Sequence, residues 1–98
     1  MVIENLIAAA GERRTPYFYR SQDGAEIDLL FEFGGTPEMA IEVKRSSAPS
    51  LDKGFAIACD DLAVKKRFVV YPGAEQFGLR HGAQAISLWD MTQVLKIG

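Results

Sequence analysis

The sequence predicts an α/β (α+β) domain: a mixed β-sheet flanked by helices, with elements in the order α-β-β-β-α-β and a short tail. Three observations predict it. Two segments carry apolar residues every three or four positions, the period of a helix with one buried face. Between them, residues 25–33 alternate with period two and are followed after a Gly-Gly break by a second short strand pattern, which reads as a hairpin. After the second helical segment comes a continuous apolar run, Phe68-Val69-Val70-Tyr71, of the kind a helical crossover feeds in parallel into the middle of a sheet. The 98 residues are one domain's worth, taken as 1–98, with no linker, repeat or low-complexity stretch to divide them.

Ile3, Leu6, Ile7 and Ala10 predict a helix over about residues 2–13. Gly11 lies near its end, Arg13-Arg14 at the negative end of its dipole, and Pro16 stops its continuation. Tyr17-Phe18-Tyr19-Arg20 is a short aromatic strand, and Ser21-Gln22-Asp23-Gly24 is turn chemistry. In the next strand Ile27, Leu29, Phe31 and Phe33 point one way, and Glu26, Asp28, Leu30 and Glu32 the other. Gly34-Gly35-Thr36-Pro37 breaks the pattern, and Glu38 to Lys44 is the third strand. Leu51, Phe55, Ala58 and Leu62 predict the second helix, with Pro49 tolerable in its first turn. Phe68–Tyr71 is the fourth strand, closed by Pro72-Gly73. Residues 74–82 read as loop, 85–88 as a last short strand, and Ser87 with Asp90 has capping-box spacing before a final helix over 89–95.

Composition excludes several classes. The net charge is −2, so no overall electrostatic pull toward nucleic acid operates; the basic groups Arg13-Arg14, Arg20, Lys44-Arg45, Lys65-Lys66-Arg67 and Arg80 read singly as solvated surface. The single cysteine, Cys59, permits no intrachain disulfide. That suits a reducing, cytoplasmic setting and reads as a small packed residue on a helix. No apolar run approaches the ~20 residues of a membrane helix, and the acidic, non-basic start does not resemble a signal peptide. The lone His81 reads as an exposed loop residue; without a second histidine neither a Ser-His-Asp triad nor a zinc site has its parts. Trp89 reads as core or interface packing.

The informative segment is the hairpin. Opposed residues of an antiparallel pair have numbers that add to a constant, and a three-residue Gly34-Gly35-Thr36 turn makes that sum 70. Asp28 then faces Glu42 and Glu26 faces Lys44, all on one face. Facing carboxylates repel unless a positive charge lies between them. Lys44, two residues from Glu42, is one candidate, and a divalent cation is another, since carboxylate oxygens are the hard ligands Mg²⁺ takes. The Val43 carbonyl would lie nearby. The alternative is a weak exposed cross-strand Glu–Lys pair. Against that stands the placing of acids inside apolar strands, above all the mid-strand Asp28, where propensity is poor.

Ile41-Glu42-Val43-Lys44, preceded by Asp28 on the previous strand, resembles the (D/E)xK signature of the PD-(D/E)xK nuclease-like superfamily. Glu4-Asn5-Leu6, Tyr19-Arg20, Gly24-Ala25-Glu26-Ile27-Asp28, Ile41 to Ser46 and Val69-Val70-Tyr71-Pro72-Gly73 occur in an order similar to that of a C-terminal domain of unknown function of prokaryotic AAA-type ATPases. The resemblance covers about residues 3–90. It implies a restriction-endonuclease-like αβββαβ core with Asp28 and Glu42 as Mg²⁺ (or Mn²⁺) ligands, Lys44 serving the attacking water and Glu4 on the first helix assisting at the metal. Arg20 and Arg45 would hold flanking phosphates. The sequence departs from the named motif in lacking its proline, and it contains no Gly-x-x-x-x-Gly-Lys-Ser/Thr phosphate loop.

Three expectations follow. The first is a Mg²⁺-dependent nuclease acting on DNA, less favourably on RNA, with no membrane partner. The second is a non-catalytic nucleic-acid- or partner-binding module docked to an AAA-type ATPase domain. The third is a structural segment that forms a homodimer through surface left bare by a missing partner domain.

Overall fold

The computed structural model describes residues 1–97. Its elements are α1 (Val2–Ala10), β1 (Arg14–Arg20), β2 (Glu26–Phe33), β3 (Thr36–Val43), α2 (Lys53–Asp61), β4 (Lys66–Tyr71), β5 (Phe77–Gly78), a 3₁₀ turn (Arg80–Gly82), β6 (Ala83–Ser87) and α3 (Leu88–Ile97). The strands form one mixed six-stranded sheet in the order β1-β2-β3-β4-β6-β5. β1, β2 and β3 run as an antiparallel meander. β4 lies parallel to both β3 and β6, as the buried Val69-Val70-Tyr71 run leads one to expect for a strand fed by a helical crossover.

Two cores cover the two faces of the sheet. Leu6 and Ala10 of α1 and Met91 and Leu95 of α3 pack with Leu29, Phe31, Met39, Ile41, Val70 and Ile86. Phe55, Ala58 and Cys59 of α2 pack with Ala25, Ile27, Leu30, Ala40 and Val64. Met39, Ala40 and Ile41 divide between the cores in strict alternation, so α1 and α3 lie on one face and α2 on the other. Cys59 is fully buried in this second core, and burial pushes its thiol up to about 11, as suits a packed cysteine.

Several elements differ from the sequence expectation, each for a local reason. α1 stops at Ala10, because Gly11 takes a positive φ of 72° that glycine adopts freely. β1 therefore begins at Arg14 rather than Tyr17, with Pro16 inside it; β1 is an edge strand, where a missing N–H is tolerated. Arg14 does not serve the end of α1. It is 3% exposed, donates from Nη1 to the Leu95 carbonyl near the end of α3 (2.9 Å) and from Nε to Glu38 Oε1 (2.8 Å). Burial alone would raise the Glu38 carboxyl, but Arg14 and Lys66 together hold it below the ordinary value.

α2 starts only at Lys53, leaving Pro49 outside it. Gly54 in its first turn lets the helix approach the β1–β2 turn: a Cβ there would meet the Gly24 carbonyl oxygen at 2.5 Å. The segment read as loop contributes β5, which pairs with β6. Ser87 Oγ accepts the Asp90 N–H (3.1 Å) and so caps α3 as its spacing foretells. Trp89 is not core; it stands 70% exposed on α3.

Candidate functional site

The hairpin reaches the anticipated register by a different route. The turn has two residues, Gly34 and Gly35, both at positive φ (62° and 82°), the conformation a tight two-residue hairpin turn demands. Phe33 pairs with Thr36 and Glu32 with Pro37, a sum of 69. A bulge at Glu38 then restores the sum of 70, so that Phe31 faces Met39, Leu30 faces Ala40 and Leu29 faces Ile41. Extra residue and shorter turn cancel.

A second bulge alters the far end of β2. Tyr17 pairs with Leu30 but Tyr19 with Ile27, so two residues of β2, Asp28 and Leu29, stand opposite Phe18 alone. Simple alternation fails there: Ile27 joins Leu30 in the α2-side core while Leu29 joins the other. The expected row of Glu26, Asp28, Leu30 and Glu32 on one face is thus broken below Asp28. Glu26 does not meet Lys44. It is exposed on the sheet margin, where its Oε1 accepts from Arg20 Nη2 (3.1 Å). The irregularity also accounts for the mid-strand aspartate. Asp28, partly buried, turns its carboxylate to the end of β3, and Oδ2 accepts the Val43 N–H (2.9 Å). This places Asp28 beside the Glu42–Val43 peptide link.

Glu42 follows Ile41 on β3 and so lies on the α2 face. It is 5% exposed. The Lys44 ammonium approaches its Oε1 to 3.3 Å as an ion pair outside hydrogen-bond geometry, and Oε1 is buried without a hydrogen-bond partner among the described residues. Burial, and then the neighbouring Asp52 charge, raise the Glu42 carboxyl to about 7 against the pull of Lys44. Lys44 itself extends the sheet beyond β3, its N–H donating to the Val70 carbonyl (2.8 Å). Its Nζ donates to Asp52 Oδ1 at 2.7 Å. That hydrogen bond, outweighing the cost of burial and joined by the Glu42 charge, raises the Lys44 ammonium above its ordinary value.

The structure therefore brings Glu42, Lys44 and Asp52 into one linked group, with Asp28 at the same strand end. Asp52, which the sequence reading passed over, stands just before α2; its signal was an N-cap residue eight positions after Lys44, too common a pattern to single out. Glu4 is exposed on α1, whose helix covers the opposite face, and forms no hydrogen bond or ion pair with this group among the described residues. Arg45 is exposed next to Lys44, and the two help line an apolar hollow between the start of α1, the ends of β3 and β4 and the start of α3. Arg67 is spent on structure: it donates to Val64 O, His81 O and Asp60 Oδ1 at 2.7, 3.0 and 2.9 Å. Among the described residues no three or more His, Cys, Asp or Glu side chains gather in a way that could hold a metal ion. No helix among them is long and apolar enough to cross a membrane.

The chain is similar to two mycobacterial proteins, both called uncharacterized: Rv2008c of Mycobacterium tuberculosis and Mb2031c of Mycobacterium bovis. Each is 37% identical over 85 residues, 87% of this chain. The chain spans only 19% of the length of either relative. No solved structure matches it. Residues 1–91 match the family described as a domain of unknown function, DUF4143, and the chain belongs to that family.

Proposed function

We propose that this domain is a Mg²⁺-dependent phosphodiester hydrolase of the PD-(D/E)xK kind, with a restriction-endonuclease-like core, acting on DNA and less favourably on RNA. The observation that carries the reading is Glu42: a buried carboxylate with an oxygen that has no hydrogen-bond partner among the described residues, at the strand end it shares with Lys44 and Asp28. Burying a carboxylate costs several kcal/mol unless a counter-charge answers it, and here a lysine answers it only in part.

The donor set suits a hard divalent cation. Two carboxylates, a nearby peptide carbonyl and retained waters are an all-oxygen set of the sort Mg²⁺ takes. Asp28 and Glu42 would hold the ion, which when bound neutralises phosphate charge and lowers the pKa of water. The Lys44 ammonium, kept charged by Asp52, supplies positive charge where negative charge grows on the phosphorus oxygens. Arg45, exposed beside it, would meet a flanking phosphate and hold the strand in register. Arg20, engaged with Glu26, contributes at most to the margin of such a surface.

A second reading is a non-catalytic nucleic-acid- or partner-binding module attached to an AAA-type ATPase. It is favoured by the net charge of −2 and by the small share of its relatives' length that the chain covers. The two separate in one assay. Supercoiled plasmid, linear duplex, single-stranded DNA and RNA are incubated with the chain and Mg²⁺ or Mn²⁺. Hydrolysis that needs the cation and disappears in Glu42→Gln and Lys44→Ala supports the first reading. Retention of nucleic acid without hydrolysis, or no interaction at all, supports the second.

A further inference from the structure

We propose that Asp52 is a positioning residue for Lys44, holding its ammonium at the rim of the site when a divalent cation occupies Glu42. The inference rests on the metal-site reading above and deepens it. Asp52 sits at the N-cap of α2 with extended backbone (φ −74°, ψ 139°). Aspartate is among the best N-caps because its carboxylate accepts the free N–H groups of the first turn. Here it makes no such bond. Its Oδ1 instead accepts from Lys44 Nζ at 2.7 Å, so a stabilising local contact is forgone for one with another element.

The ammonium is shared unequally. It lies 3.3 Å from Glu42 Oε1 without a hydrogen bond, and 2.7 Å from Asp52 with one. A divalent cation on Glu42 and an ammonium 3.3 Å from the same oxygen are like charges that repel, and the ammonium, on a flexible stem, is the one free to yield. With Asp52 present, Lys44 gives up only the weaker contact and keeps a charged hydrogen bond. Without Asp52, Glu42 is the one carboxylate left to it among the described residues, and the lysine becomes the cation's competitor. Asp52 is itself 56% exposed at the side chain, so its replacement by the isosteric and equally good N-cap Asn leaves the fold undisturbed.

The test is a double-mutant cycle on the whole chain, with Mn²⁺ as probe and titration calorimetry as readout: wild type, Asp52→Asn, Lys44→Gln and the double variant, each checked by thermal midpoint. The expected result is Mn²⁺ binding about three- to fivefold weaker in Asp52→Asn, the range a partly exposed ion pair supports. The further loss is absent when Lys44 is already Gln, and Asp52→Glu restores binding. In metal-free protein, the ¹⁵N ammonium signal of Lys44 is protected in wild type and lost in Asp52→Asn. Equal weakening with and without Lys44 would mean that Asp52 acts as a ligand or through its charge, and would overturn the inference, as would unchanged affinity. Absence of Mn²⁺ binding in wild type, with the ammonium signal still responding to Asp52→Asn, would instead overturn the metal-site reading and remove the role with it.

Discussion

Replacing Glu42 by Gln should flatten the neutral-to-alkaline part of the chain's stability profile. Burial, and next the Asp52 charge, lift the Glu42 carboxyl from 4.5 to about 7, with Lys44 opposing. The folded state thus binds this proton more tightly than the unfolded chain does. Its contribution is fully present below the unfolded value of 4.5 and is lost as pH rises through about 7. At 1.36 kcal/mol per unit, the loss amounts to about 3 kcal/mol at most, a large part of the stability of a small domain. Glu38, held low by Arg14 and Lys66 after the opposing effect of burial, acts in the opposite sense on the acid side. It is common to both proteins and cancels in their difference. Urea unfolding of wild type and Glu42→Gln from about pH 5 to about pH 9 measures the effect. Wild type should fall relative to the variant across that range by about 2–3 kcal/mol. Added Mg²⁺ or Mn²⁺ should restore wild type alone at the alkaline end. Parallel curves for the two proteins would refute the reasoning, since they would mean that Glu42 titrates alike folded and unfolded.

Other substitutions probe the frame that holds the site. Gly54→Ala puts a methyl group 2.5 Å from the Gly24 carbonyl oxygen, and should lower stability by about 1–3 kcal/mol; an unchanged thermal midpoint would show that α2 can back away freely. Arg14→Met leaves the Leu95 carbonyl without its donor and Glu38 without its main partner, and should cost about 3 kcal/mol in urea unfolding. Ser87→Ala removes the side-chain cap of α3 and should cost about 1 kcal/mol by the same assay.

The hairpin shows what a single sequence discloses and what it hides. The apolar alternation read over residues 25–33, which the structure keeps from Leu29 to Phe31, and the Gly-Gly break were enough to oppose β2 and β3, and the pairing sum of 70 holds at Leu29, Leu30 and Phe31. It holds because a shorter turn and a bulge at Glu38 offset one another, and neither leaves a periodic trace. The bulge at Asp28 was signalled only by the poor strand propensity of aspartate, which marked the position as unusual without saying that its carboxylate would take the Val43 N–H. Helix existence was legible from spacing, but helix ends depended on tertiary terms: the close approach at Gly24 for α2 and the positive φ of Gly11 for α1. The role of Arg14 was hidden because its partners, Glu38 and Leu95, lie 24 and 81 residues away. For the same reason Asp52 was missed: eight residues from Lys44, it belongs to the site only because α2 folds back over the end of β3.

Calorimetric titration of Mn²⁺ into wild type and Glu42→Ala, on matched and demonstrably folded protein, tests the central claim most directly. Saturable binding in wild type that Glu42→Ala abolishes is the predicted result. No binding to wild type, or equal binding to both proteins, would contradict a metal centre at the Asp28–Glu42–Lys44 strand end and favour the docking-module reading.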